Sequence, residues 1–317
     1  MRKFIMMSIC LACISCKVDF DFSSLESEPI LYLDMNLAYD HDEGDYFLGE
    51  PFRLSGFIHA VPAVSGEREL PDDLHCRVDV YRNSELIDTR DFTLLPGFEE
   101  FVSASIFDLD PGDELKVVAE ADGFPTATSM VKVPLTPPMP VVSYIREDES
   151  TLRIKVTVED DPMTEDCYAF TFHSAAFYGG DVITNADGWP MELSFGNTDE
   201  TSFLDLGPFD VIWQDGNIFY GMSDHSFNGQ AKTFEVNAAC ELPAGEGAEN
   251  YHYYKVGIHK ISPERLRYEA ACQNKDNNVL SFIGLAPSTF AYTNITGGTG
   301  CLSCSNVLYT DWTKARR

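Results

Sequence analysis

Strict alternation of apolar and polar residues over short runs is the feature that most limits what this chain folds into. In TLRIKVTV (151–158), Leu152, Ile154, Val156 and Val158 share one face, and Arg153, Lys155 and Thr157 share the other. In CRVDVY (76–81), Cys76, Val78 and Val80 alternate with Arg77, Asp79 and Tyr81. A period of two is the pitch of a strand with one face in a core and one in solvent, so both runs predict half-buried antiparallel strands. Comparable runs span 30–38, 51–59, 86–94, 101–107, 114–120 and 126–133. Turn sequences such as Pro96-Gly97, Pro111-Gly112-Asp113 and Asp122-Gly123 separate several of them. Strands at this spacing predict an N-terminal immunoglobulin-like β-sandwich.

The stretch VPLTPPMPVV (133–142) carries Pro134, Pro137, Pro138 and Pro140. Proline fixes φ and removes a backbone donor, which makes this an extended connector and the expected domain boundary. A second β-rich domain follows, with strands expected at 151–158, 167–173, 209–213, 232–238 and 251–260. One segment there reads as a helix. In ISPERLRYEAACQN, Ser262 is placed to cap, Pro263 fits the first helical position, Glu264 suits the positive end, and Leu266 and Ala270 share a face. The fold class is therefore mostly β, with one or two short helices in the second domain. The expected segments are 1–16, 17–28, 29–134, 135–141, 142–310 and 311–317: signal, tether, sandwich, linker, second β-rich domain and tail.

The signal is read from MRKFIMMSICLACISC, where Arg2 and Lys3 precede an apolar run from Phe4 to Ile14. That run is shorter than the roughly 20 residues a spanning helix needs. Ser15 before Cys16 resembles the processing box of bacterial lipoproteins, in which the cysteine thiol is lipidated. Cys13 also follows a small residue, but polar sequence begins only after Cys16, which is the expected lipidation site. Such an anchor would bind the membrane through buried acyl chains, at about 0.8 kcal/mol per CH₂. Residues 17–28, KVDFDFSSLESE, then read as a solvated tether. Their Lys-then-acidic start resembles the signals that send Bacteroidota lipoproteins to the outside of the outer membrane.

Charge excludes some partners. With 22 Lys+Arg against 51 Asp+Glu the net charge is −29, which repels nucleic acid and anionic headgroups. A hydrophobic content of 44% with 12% aromatics still belongs to a globular chain rather than an acidic disordered tail.

Beyond the signal lie six cysteines, Cys76, Cys167, Cys240, Cys272, Cys301 and Cys304. An even number in an exported chain permits disulfides without fixing their connectivity. The CxxC of Cys301 and Cys304 invites a redox or zinc reading, but it follows the loop Gly297-Gly298-Thr299-Gly300 rather than sitting between a strand and a helix, and it has no second ligand pair, so a structural role is expected. That role is either a local bond or bonds to other cysteines such as Cys272 or Cys240.

No HExxH, GxSxG or phosphate-loop pattern is present, and no cofactor or catalytic residue is assigned. His252 and His259 lie seven apart on an expected strand, on opposite faces, which prevents joint chelation of a metal. His173-Ser174 and Asp224-His225-Ser226 contain triad residue types without triad spacing. The acidic run Asp40-His41-Asp42-Glu43-Gly44-Asp45 departs from the calcium-loop pattern and reads as a solvated hairpin loop. For ligand binding, the loop-rich segment 174–230 offers Tyr178, Trp189, Trp213, Phe219 and Tyr220. Their aromatic faces suit sugar rings or peptide side chains.

The chain also resembles the Bacteroidota lipoprotein family known as "domain of unknown function 4249". The resemblance runs from Cys16 and VDFDF through EPILYLDMNL, VKVPLTPPMPVVSYI, DHSFNGQAKTFEV and YYKVGIHKISPERLRYEAA to APSTFAYTNITGGTG. It implies an outer-membrane, surface-facing lipoprotein that serves as accessory or substrate-capturing partner of a TonB-dependent nutrient transporter. It implies no catalytic residues. The alternatives are a structural or assembly component of the outer membrane and, third, an anchored hydrolase. Where that family continues into an apolar strand after its Asn-Ile-x-Gly-Gly turn, this chain brings Cys301 and Cys304.

Overall fold

The alternating runs form strands because each buries one apolar row and leaves a polar row outside. The computed structural model describes residues 29–40, 52–61, 73–95, 97–106, 109–146, 151–178, 181–183, 211–214, 219–239, 252–276 and 292–314. The first half supplies β1 (Ile30–Asp40), β2 (Phe52–Val61), β3 (Leu74–Arg82), β4 (Glu85–Leu94), β5 (Glu100–Ile106), β6 (Glu114–Ala121) and β7 (Ala127–Lys132). After the prolines come β8 (Val141–Arg146), β9 (Thr151–Glu159), β10 (Cys167–Tyr178), β11 (Asp181–Ile183), β12 (Val211–Gln214) and β13 (Phe219–Ser223). The chain continues through β14 (Ala231–Ala239), β15 (His252–Ile261), α1 (Pro263–Asp276), β16 (Gly298–Tyr309) and β17 (Thr313–Lys314). The protein is mostly β, in agreement with the sequence pattern. Among the described residues no helix is long and apolar enough to cross a membrane.

Among the described residues, three sheets build two sandwiches. A ten-stranded sheet runs β12-β13-β10-β15-β16-β1-β2-β5, with β11 beside β10 and β17 beside β15. A four-stranded sheet, β4-β3-β6-β7, covers its β1-β2-β5 end, and a three-stranded sheet, β14-β9-β8, covers its β10-β15 end. The first core joins Leu31, Leu33, Met35 and Leu37 of β1 to Val78 and Val80 of β3 and to Leu115 and Val117 of β6. The second joins Leu152, Ile154, Val156 and Val158 of β9 to Phe170, Phe234, Val256 and Ile258. Residues before and after the prolines thus serve different cores, with one exception.

That exception is β16. Its Leu302 and Cys304 enter the first core together with the nearby Ile295, while Leu308 packs against the second. Strand β16 pairs in parallel with β1 over ten positions, from Leu31 opposite Gly298 to Asp40 opposite Val307. It pairs antiparallel with β15, from Ile261 opposite Ser305 to Gly257 opposite Tyr309. The glycines read as a loop open this strand. Gly300 has φ +106°, and a Cβ there would collide with the Leu33 carbonyl, so only glycine lets β16 lie this close to β1. Segment 29–134 by itself therefore lacks a strand of its own sandwich.

Helix α1 covers the other face of β16. Ser262 was expected to cap this helix with its side chain, but its hydroxyl oxygen accepts the Cys304 amide at 3.2 Å, and its own amide donates to the Cys304 carbonyl at 2.8 Å. The Ser262 carbonyl accepts the Arg265 amide at 3.0 Å. Leu266 packs on Cys167, Ala169 and Ile261. Arg265 reaches Asp34 of β1 at 3.0 Å, and the hydroxyls of Tyr268 and Tyr32 meet at 2.6 Å.

A fragment spanning residues 29–140 is expected to show no cooperative thermal transition by circular dichroism, while the full chain does. In the full chain, Leu302→Ala is expected to cost about 2–5 kcal/mol in urea unfolding, because it opens a cavity in the first core.

Candidate functional site

The two sandwiches meet at a cavity of about 320 Å³. Its first wall comes from the end of β7 and the start of the linker, Lys132 to Leu135. Its second comes from the β9–β10 loop, Thr164 to Cys167, and the junction of β15 with α1, Lys260 to Pro263. Asn306 of β16 donates to the Pro134 carbonyl at 3.1 Å and thereby holds the linker against the sheet.

The floor is charged and almost dry. Lys260 is 4% exposed, and its Nζ lies 2.6 Å from Asp166 Oδ2. Thr164 Oγ1 donates to the same oxygen at 2.8 Å. Behind it, the Asp224 carboxylate accepts the Asp166 amide at 2.6 Å, and Asp160 accepts the Gly229 amide at 2.8 Å and the Tyr168 hydroxyl at 2.7 Å. Ligand atoms of Asp160, Asp166 and Asp224 lie within 4.8 Å of one another, which is metal-site spacing. Against this cluster stands the Lys260 ammonium, so the chain supplies a cation of its own. Burial pushes the Asp224 carboxyl up from its ordinary range, and neighbouring Asp160 and Asp166 add to the rise, while the Asp166 amide opposes it.

The residues expected to bind ligand lie elsewhere. Among the described residues no aromatic side chain lines the cavity. Trp213 stands opposite Tyr220 in the β12–β13 register, with Phe219 opposite Gln214, and Tyr178 stands opposite Asp181 at the β10–β11 turn. Trp189 and Cys240 lie outside the described residues, as do positions 41–45 of the acidic run. Asp224, read beside His225 and Ser226, is buried and bonded to the Asp166 backbone, whereas His225 and Ser226 are exposed. His259 is buried, and its Nε2 lies 3.0 Å from Thr171 Oγ1.

The cysteine expectation needs correction. Cys301 and Cys304 are three apart on a strand and project to opposite faces: Cys304 into the first core, Cys301 beneath α1 beside Arg265. They do not bond to each other, and among the described residues Cys76 and Cys167 are free thiols as well. Burial pushes Cys76, Cys167 and Cys301 up to about 12.

Sequence reasoning missed the cavity because its walls come from segments far apart in the chain. The available signals were a lysine ending the apolar strand YYKVGIHKI and the acidic run Asp160 to Asp166.

The family described as "Domain of unknown function (DUF4249)" matches residues 75–310. The chain belongs to that family. No curated protein matches it. Among solved structures, the DUF4249 chain is similar to the FN1–FN3 domains of chicken CNTN1, at 9% identity with a TM-score of 0.28, over 74% of this chain and 63% of that one. It is also similar to red sea bream transglutaminase, at 12% identity with a TM-score of 0.22, over 73% of this chain and 29% of that one. The chain thus spans less than two thirds of either protein, and at these scores neither likeness bears on its fold or function.

Two outcomes are expected of this site. Asp224→Asn should unfold at higher urea than the parent at pH 7, with the advantage shrinking toward pH 4. The raised folded pKa means that the native carboxyl holds its proton longer than the unfolded one, so its contribution to stability falls as pH rises through that window. Native-state alkylation at pH 8, read by peptide mass spectrometry, should spare Cys76, Cys167 and Cys301 until denaturant is added.

Proposed function

We propose that this DUF4249 protein is a non-catalytic, lipid-anchored protein of the outer membrane, facing the cell exterior, and a substrate-capturing or accessory partner of a TonB-dependent nutrient transporter. The observation that carries the reading is the N-terminus. A basic pair, an apolar run from Phe4 to Ile14 and Ser15-Cys16 stand directly before a polar tether and the first strand. Lipidation at Cys16 would leave residues 17–28 as the link between the membrane and β1.

Two further features support it. Net charge of −29 is suited to a body that stands off an anionic membrane and is held by lipid alone. The cavity between the sandwiches supplies a place for a small solute.

The test is gentle detergent extraction of the tagged native protein and identification of what accompanies it, with Cys16→Ala as control. The proposal expects a TonB-dependent barrel that is lost in the control. Absence of any barrel from lipidated, intact protein would overturn it in favour of a structural or assembly role.

A further inference from the structure

The cavity between the sandwiches has an unusual charge layout. Its floor is the buried Lys260–Asp166 pair, and its rim carries one further lysine and one further carboxylate, Lys132 and Glu165. Both rim residues are exposed, and among the described residues neither side chain has a hydrogen-bond or ion-pair partner. Between rim and floor the wall is apolar, formed by Val133, Pro134, Leu135 and Ile261.

Each feature selects a chemistry. A cavity of about 320 Å³ is at the low end for ligand sites and holds a molecule of roughly two or three residues, not a folded partner. Unpaired charges of opposite sign favour a ligand that carries both an ammonium and a carboxylate over a neutral or singly charged one. An apolar wall gives a short aliphatic side chain somewhere to bury. Sugar rings are recognised chiefly by stacking on aromatic faces, and among the described residues no aromatic one lines this cavity. The buried pair adds selectivity, because Lys260 and Asp166 are already satisfied by each other and leave recognition to groups that reach Lys132 and Glu165.

From this geometry we infer that the cavity binds the free termini of a short zwitterionic peptide, with Lys132 facing the carboxylate and Glu165 facing the ammonium. The inference rests on the substrate-capturing half of the proposed function and chooses peptide over glycan as the class captured.

The experiment is calorimetric titration of the detergent-solubilised full chain with three probes: Ala-Ala-Leu, the same tripeptide acetylated and amidated at its ends, and maltotriose. Saturable binding of the free tripeptide is expected, weakened by at least about tenfold when the ends are capped, with no heat from maltotriose. Lys132→Ala and Glu165→Ala, both at exposed positions, are each expected to weaken it by about fivefold. No saturable binding, equal binding of free and capped peptide, preference for maltotriose, or affinity unchanged in both variants would overturn the inference. The comparison of free with capped peptide is made on the parent chain, so it stands even if a variant misfolds. Recovery of the barrel without peptide binding would remove this inference alone, and peptide binding without a barrel would remove only the transporter reading.

Discussion

The parallel pairing of β1 with β16 is the contact on which the rest of the structure depends. It joins residues as far apart as Met35 and Ser303, whose hydroxyl donates to the Met35 carbonyl at 3.2 Å across a separation of 268 positions. Closing a loop of that length costs on the order of 5 kcal/mol in chain entropy. Ladder bonds and the burial of Leu302 and Cys304 must offset that cost, and they do so only when β16 is in place. The first sandwich therefore waits for β16. Because β16 also pairs with β15, the second sandwich is tied to the same event.

This arrangement explains why the cavity sits where it does. The β16 strand carries the end of β15, with Lys260, up to the linker that leaves β7. Two cores that pack separately would have no reason to hold Lys132 and Glu165 around one opening. Joined by a continuous sheet, they do so with little freedom, and α1 braces the joint through Arg265–Asp34 and the Ser262–Cys304 bonds. The buried Lys260–Asp166 pair is costly to desolvate and costly to break, by about 3–5 kcal/mol if one partner is removed. Its partners on the β9–β10 loop and the turn after β13 lock those loops as the floor of the opening.

Where one face of a strand meets solvent, the sequence pattern is readable. TLRIKVTV became β9 with its apolar row in the second core, and CRVDVY became β3 with Cys76, Val78 and Val80 in the first. The helix after Ile261 was equally legible from Pro263 and Glu264. Strand β16 was not, because it is buried from Gly300 to Val307 on both faces, one toward the core and one toward α1, and such strands do not alternate. Its glycines imitated a loop and its cysteines a redox motif. The cavity was illegible for a related reason: Lys132, Glu165 and Lys260 are brought together only by that strand, and no local pattern marks them as neighbours.

The most direct test of the shared strand is native-state hydrogen exchange on the full chain, comparing amides of β1, β16 and β15. If β16 ties both sandwiches together, the slowest amides of all three strands exchange with one common opening free energy, close to that of global unfolding. If β1 opens at a clearly lower free energy than β15, the two sandwiches unfold independently, and β16 does not tie them into one fold.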